Sequence, residues 1–277
     1  MLSASQKRSE RAFTLVELLV VIGIIALLVS ILLPSLGKVR RSARTVQCLA
    51  ILRQWGQAQA AYEQDFKGWA VPDLQDPSPI GGTTSGPNRR FWIQNPTFRK
   101  LLGCSKPDAT DSRFPRGMIC PEAHKALDGQ NDNGCVISYS YGYNEEGQYS
   151  LPLGAGYYDM TYRGIRPNKV ARSADKIMFI DALDYQLNYG KSNHYYNPAF
   201  PGFDEERNGA FNNYCAYRHG PGTIQYGSPI SLQKANVLFW DNHADSMPRS
   251  EIACADGYAP ETSAHPNYKK RWLTNSP

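Results

Sequence analysis

The sequence lacks the short signatures that mark several large enzyme classes. It contains no G-x-S-x-G nucleophile elbow, no Walker-type phosphate loop, no H-E-x-x-H metalloprotease motif and no Rossmann glycine pattern. No two of its six cysteines have the C-x-x-C spacing typical of structural zinc sites. We therefore predict that the chain is not an enzyme, and we assign it no catalytic residue and no metal ligand.

The sequence also has little excess charge of either sign. Its 30 lysines and arginines oppose 25 acidic residues, for a formal charge of +5. The basic residues are scattered and do not form the long run that would follow a phosphate backbone. These features predict no nucleic-acid partner.

Long apolar runs are absent except for one near the N-terminus. Residues 13–33 would span roughly 30 Å as a helix, at about 1.5 Å per residue, which is enough to cross a bilayer core. The run is too long for an ordinary cleaved signal, and no A-x-A site follows it. Because basic residues precede it, we expect residues 1–12 to stay cytoplasmic and the chain after Pro34 to be translocated.

The residues around this run resemble the type IV prepilin motif, in which a short basic leader is cut just before a phenylalanine that begins an apolar helix. The matching positions of this sequence are Phe13, Thr14, Leu15, Glu17 and Pro34. One departure is Ala12, where the pattern usually has glycine. The resemblance divides the first part of the chain into a leader peptide at 1–12 and a transmembrane helix at 13–34.

The resemblance also implies partners and roles. A membrane-embedded prepilin peptidase would cut between Ala12 and Phe13, and the new amine of Phe13 would be methylated. Glu17 is the one charge inside the span, and an acidic residue at a helix centre costs about 3 kcal/mol in a bilayer. In pilin-like assemblies the carboxylate at this position is thought to face the N-terminal amine of a neighbouring subunit, so other pilin-like subunits are the expected partners.

Beyond the membrane, the apolar residues continue at helical spacing. We predict an amphipathic continuation of the helix over residues 35–62. Its predicted apolar face consists of Leu36, Val39, Ala43, Val46, Leu49, Leu52, Trp55, Gln59 and Tyr62.

Residues 63–277 are predicted to form the extracytoplasmic globular domain. After a loop-rich stretch, segments of strand character follow at 135–143, 176–180, 213–217, 236–240 and 243–247. We therefore expect an α+β, pilin-like fold, in which the long N-terminal helix packs on a small antiparallel sheet with long loops.

The C-terminal half resembles the planctomycete-type prepilin-like proteins that have an H-X9-DG motif. The similar phrases are ICPEAH at Ile119–His124, SYGYN at Ser140–Asn144, DKIMFIDA at Asp175–Ala182, RHG at Arg218–Gly220 and ANVLFWDNH at Ala235–His243. The resemblance equates His219 and Asp241 with the histidine and aspartate of the motif. The spacing between them is longer than the motif allows, and Asn242 stands where glycine is expected.

Two hypotheses fit this region. His219, Asp241 and His243 could form a metal site or an acid–base pair, since both residue types bind metals and carry protons. Alternatively, Asp241 and His243 alternate on a hairpin and close its turn by side-chain hydrogen bonds. We favour the second hypothesis.

All six cysteines follow the apolar run, so translocation would place them where disulfides can form. Six cysteines allow 15 complete pairings. The disulfide candidates are Cys120 with Cys135 and Cys215 with Cys254, while Cys48 is expected to be an ordinary buried thiol.

Two further features suggest ligands. Residues 128–134, DGQNDNG, place Asp128, Gln130 and Asp132 at alternate positions like a calcium loop, but lack the glycine at the sixth position and the distal glutamate. We therefore predict no cofactor, with calcium as the alternative. The 17 tyrosines, including Tyr139, Tyr141 and Tyr143, suit either a binding face or aromatic packing, and we favour packing.

The sequence thus favours one function over two alternatives. The favoured function is a structural subunit or minor component of a type IV pilus-like or type II secretion pseudopilus-like assembly, single-pass in the inner membrane with its C-terminal domain in the periplasm or outside the cell. The second is a membrane-anchored module that binds a polymer or protein and never polymerises. The third is a membrane-tethered enzyme that uses His219, Asp241 and His243.

Overall fold

The fold is described from a computed structural model. The residues that it describes are 15–75, 90–107, 112–137, 140–144, 165–182, 186–187, 215–220, 232, 234–253 and 266–272. The predicted cleavage residues Ala12 and Phe13, together with Cys254, lie outside these ranges.

A single helix, α1, spans Leu15–Asp65 and includes Pro34. The long N-terminal helix expected from the sequence is confirmed. The large apolar residues between Leu15 and Leu33 are 43% to 79% exposed, so the described residues of the chain do not bury these side chains. Among the described residues, α1 is the one helix whose length and composition would let it cross a membrane.

The chain divides into two compact units, Met1–Ser42 and Ala43–Pro277, and the boundary falls inside α1. Within the second unit α1 buries one face, which includes Cys48, Leu52, Trp55 and Tyr62. The predicted apolar face is only partly correct, because Val46 is 64% exposed while Cys48 is fully buried.

Short elements surround this part of α1. The strands and α-helices are β1 Leu74–Gln75, β2 Arg90–Phe91, α2 Pro96–Leu101, β3 Arg113–Phe114, α3 His124–Asp128 and β4 Cys135–Val136. Single 3-10 turns cover Trp92–Gln94, Arg116–Met118, Pro167–Lys169 and Ser173–Asp175. β1 pairs with β2 and β3 pairs with β4, both antiparallel.

The main sheet has five strands among the described residues. They are β5 Tyr141–Asn144, β6 Ile177–Asp181, β7 Gln186–Leu187, β8 Lys234–Phe239 and β9 Ala244–Pro248. Their order is β7-β5-β6-β8-β9, and every pair is antiparallel except β5 with β7. Helix α4, Arg249–Ile252, and a π-helical turn, Tyr268–Trp272, follow the sheet. The predicted α+β class is confirmed.

Alternate residues of β8 enter two different hydrophobic clusters. Leu238 joins the cluster that contains Trp55, whereas Val237 joins a second cluster with Trp272. Successive side chains of a strand point to opposite faces, so the two clusters lie on the two sides of the sheet. The ring of Trp55 contacts those of Trp92, Phe98, Phe114, Tyr141 and Phe179 at centroid distances of 5.2 to 6.0 Å. The sheet is therefore covered on both faces.

Candidate functional site

The N-terminal part of α1 combines an exposed apolar surface with one carboxylate. Glu17 lies in the first turn of α1 and is exposed. It is the one charged residue between Leu15 and Leu33. Apolar surface of this extent is stable only in a bilayer or against other apolar helices. A carboxylate in such surroundings is costly unless a positive group neutralises it.

The β8–β9 hairpin contains the residues of the C-terminal motif. Asp241 Oδ1 accepts hydrogen bonds from the backbone N–H of His243 at 3.1 Å and from its ring Nδ1 at 2.5 Å. Between them, Asn242 adopts the left-handed conformation, with φ of 69°. Asparagine tolerates this conformation better than most residues. These contacts close the turn as the favoured hypothesis describes.

His219 lies at the opposite end of β8 from Asp241. Its backbone N–H donates to the carbonyl of Lys234, and its own carbonyl accepts from the N–H of Lys234, so it sits beside the first residue of β8. Asp241 follows the other end of this strand, which is roughly 20 Å long at about 3.3 Å per residue. The structure thus does not bring His219 together with Asp241 and His243, and a metal site made of these three residues is excluded.

His219 instead belongs to a buried polar cluster, which we call the His219 cluster and define as Thr45, Cys48, Cys120, Asp181, His219 and Asn236. The His219 ring places Nε2 3.2 Å from Asp181 Oδ2 and 3.6 Å from Cys120 Sγ, and Nδ1 3.2 Å from Thr45 Oγ1. The side chains of His219 and Asp181 are 1% and 0% exposed. A histidine and a carboxylate this deeply buried need each other as partners.

Three elements position the His219 cluster. Helix α1 supplies Thr45 and Cys48, β6 ends at Asp181, and β8 supplies Asn236. The backbone N–H of Asn236 donates to Asp181 Oδ2 at 2.7 Å. Asp181 Oδ1 and Asn236 Oδ1 are buried without a hydrogen-bond partner in the part of the chain that the structure describes. The cluster therefore keeps unused acceptor capacity.

A disulfide joins Cys48 to Cys120, with Cα atoms 5.0 Å apart. The predicted pairing of Cys120 with Cys135 is wrong, and so is the prediction that Cys48 is a thiol. Cys135 is instead a buried thiol, and burial raises its pKa although Arg116 and Arg113 lower it. Cys215 is buried as well. Its predicted pairing with Cys254 involves a residue outside the described ranges.

The two described tyrosines of the group 139–143 lie in the core, as the favoured hypothesis of aromatic packing expects. Tyr141 and Tyr143 are fully buried, and their hydroxyls reach the carbonyl oxygens of Cys48, at 3.5 Å, and Val71, at 2.9 Å. Burial, reinforced by the Asp181 carboxylate, raises the pKa of Tyr141 well above 10.0, although Arg218 lowers it. Tyr141 therefore stays neutral at physiological pH. Tyr139 lies outside the described residues.

In the loop that resembles a calcium site, several oxygens contact arginines. Gln130 Oε1 accepts from Arg116 Nη1 at 2.7 Å. The carbonyls of Gly129 and Gly134 accept from Arg113 Nη1 at 2.6 and 3.0 Å. A calcium ion in this loop would have to displace these arginine side chains from the oxygens.

Comparison with known proteins identifies the N-terminal segment. Residues 7–33 match the family model of the prokaryotic N-terminal methylation motif. No curated protein and no solved structure matches the chain. The chain therefore carries a type IV pilin-like prepilin signal. The match ends at residue 33, so the globular part is described from its structure alone.

Sequence reasoning had missed Thr45, Cys48, Asp181 and Asn236 as members of one cluster. One signal could have found Asp181, because it is an acidic residue at the end of the otherwise apolar run 177–181, IMFID. Buried carboxylates require a partner, and only five histidines are available in the chain. Nothing in the local sequence links Thr45 or Asn236 to His219.

Proposed function

We propose that the chain is a prepilin that becomes a structural subunit, or a minor component, of a type IV pilus-like or type II secretion pseudopilus-like assembly. The observation that carries the proposal is the methylation motif at residues 7–33, which leads into a helix whose apolar side chains are exposed. A prepilin peptidase cuts between Ala12 and Phe13, and Phe13 is then methylated. The partners are this peptidase and other pilin-like subunits.

The topology belongs to the same proposal. The helix anchors the chain once in the inner membrane, with the N-terminus in the cytoplasm and the C-terminal domain in the periplasm or outside the cell. The Cys48–Cys120 disulfide supports this orientation, because disulfides persist in oxidising compartments and are rare in the cytoplasm.

Glu17 is proposed to act in assembly. After cleavage the amine of Phe13 carries a positive charge, and the carboxylate of Glu17 carries a negative one. When the helix of one subunit packs beside that of another, the pair neutralises two charges that would otherwise lie in apolar surroundings.

The test compares Glu17→Gln, which removes only the charge, with the parent and with the control Ser30→Ala. Ser30 is also exposed on α1, and its hydroxyl bonds to the carbonyl of Leu27. We expect Glu17→Gln to insert into membranes normally. The amount of multimers, recovered by chemical cross-linking or by shearing from cells, should fall about tenfold or more, because the amine of Phe13 loses the carboxylate that neutralises it. The control should assemble like the parent.

If Glu17→Gln assembles like the parent, the assembly role of Glu17 is wrong. Native chain that inserts, is processed and never forms multimers would instead favour the alternative function, a membrane-anchored module that binds a polymer or protein.

A further inference from the structure

The His219 cluster brings together the donor atoms of a metal site. Cys48 Sγ, Cys120 Sγ and a ring nitrogen of His219 lie within 4.8 Å of one another, and all three residues are buried. The carboxylate of Asp181 adjoins the same ring nitrogen, with Oδ2 3.2 Å from His219 Nε2. Its other oxygen, Oδ1, is fully buried and has no hydrogen-bond partner among the described residues. Two sulfurs and one nitrogen thus converge, and a carboxylate oxygen lies beside the ring nitrogen.

The distances around His219 Nε2 suit tetrahedral coordination. A tetrahedral zinc ion has bonds of about 2.3 Å to sulfur and about 2.0–2.1 Å to nitrogen and oxygen. In this geometry the ligand nitrogen lies about 3.6 Å from a ligand sulfur and about 3.3 Å from a ligand oxygen. The observed separations are 3.6 Å to Cys120 Sγ and 3.2 Å to Asp181 Oδ2. The two sulfur atoms, which are joined by the disulfide, would have to move apart.

The surroundings of these donors resemble those of metal ligands. A histidine that binds a metal through Nε2 usually donates its other N–H to a nearby acceptor, which fixes the ring. Thr45 Oγ1 lies 3.2 Å from Nδ1 and can accept this hydrogen bond. The N–H of Asn236 holds Asp181 Oδ2 at 2.7 Å. Both contacts orient the ligands before any ion binds.

We propose that the reduced chain binds one zinc-like divalent cation through Cys48, Cys120, His219 and Asp181. A dithiol or phosphine supplies two electrons, two protons are taken up, and the S–S bond becomes two thiols. Binding of the cation then displaces both thiol protons and forms two metal–thiolate bonds. Reoxidation by an added disulfide transfers two electrons from the two thiolates to that disulfide, which takes up two protons and becomes two thiols; the S–S bond of the chain re-forms and the cation is expelled. The site is therefore open only in the reduced state.

The test uses the full chain in detergent with cobalt(II), which replaces zinc and reports thiolate ligation by its absorption. The phosphine-reduced chain should bind one equivalent, with sulfur-to-cobalt charge-transfer bands and intense tetrahedral d–d bands. The oxidised chain should bind none. Cys48→Ser and His219→Ala should each abolish this spectrum, while Cys135→Ser, which changes a buried thiol outside the cluster, should keep it.

Thr45→Val provides a milder variant that keeps every ligand. It should weaken cobalt affinity by about 10- to 100-fold while the charge-transfer bands stay at the same wavelengths, as expected for an outer partner of a ligand. Unchanged cobalt affinity in Thr45→Val would contradict the role of Thr45 in orienting His219.

Circular dichroism of the reduced parent chain provides a second test, which does not depend on whether the variants fold. If reduction unfolds the chain, zinc should refold it, since metal binding and folding are then one equilibrium. The proposal is overturned if the reduced chain binds no stoichiometric cobalt and zinc neither refolds nor stabilises it, or if Cys48→Ser and His219→Ala keep the parent spectrum.

Discussion

Asn242 shows how one residue sets a local structure. Its φ of 69° lies in the left-handed region, and its Oδ1 faces Gly56 of α1 so closely that a Cβ built on Gly56 would be 2.9 Å away. The absence of a side chain at Gly56 therefore lets the hairpin turn approach the helix. The asparagine meets the conformational requirement of the turn at the position where the H-X9-DG motif has glycine.

The turn gives a prediction at this scale. Asn242→Ala should destabilise the fold by about 1 kcal/mol, because alanine lacks the short polar side chain that lets asparagine tolerate the left-handed conformation, whereas Asn242→Gly should keep the stability of the parent. Urea unfolding of the full chain in detergent, followed by tryptophan fluorescence, would measure both. Asn133→Ala is the matched control, because Asn133 is exposed and its backbone is not left-handed. Equal stability of the Ala and Gly variants would contradict this account.

At the scale of elements, α1 shows what periodicity can and cannot predict. The pattern predicted a long helix correctly, since the spacing of apolar residues is a local property. It misplaced part of the buried face, because Val46 has the helical spacing of that face but tertiary contacts leave it 64% exposed. The disulfide was missed for the same reason. Its cysteines are 72 residues apart, and spacing says nothing about such a distant pairing.

The disulfide gives the prediction for this scale. Replacing Cys48 and Cys120 together by alanine should lower the free energy of unfolding by about 4 kcal/mol, the chain-entropy estimate for closing a loop of this length. Thermal unfolding in the presence of a chelator measures the loss. In Cys135→Ala, non-reducing peptide maps should still show the Cys48–Cys120 disulfide. A Cys120–Cys135 peptide in the parent map would refute the assigned pairing.

For the whole molecule, the sequence predicted the class of fold better than the site. Apolar runs, turn residues and strand periods are local, and they were enough for the α+β class and for the β8–β9 hairpin. The His219 cluster draws its members from α1, from Cys120, from β6, from the segment before β8 and from β8 itself. Such a site exists only once the sheet has formed, whereas the resemblance to the H-X9-DG motif grouped His219 with Asp241.

The N-terminal signal is the opposite case. Its information lies in consecutive residues, so the sequence alone predicts a leader at 1–12 and a helix at 13–34, and the family model matches residues 7–33. Exposure of the apolar side chains between Leu15 and Leu33 then adds what the motif alone does not contain, a surface that needs a membrane or other helices. The central claim, that the chain is a processed prepilin, rests on these two observations together.

Intact-mass analysis of the full chain, extracted from membranes with and without a co-expressed prepilin peptidase, tests this claim most directly. With the peptidase, the account predicts a chain that lacks residues 1–12 and carries one methyl group on the amine of Phe13. Without it, the chain should keep its leader. A chain that begins at Met1 in the presence of active peptidase would contradict the account and leave a simple membrane-anchored domain.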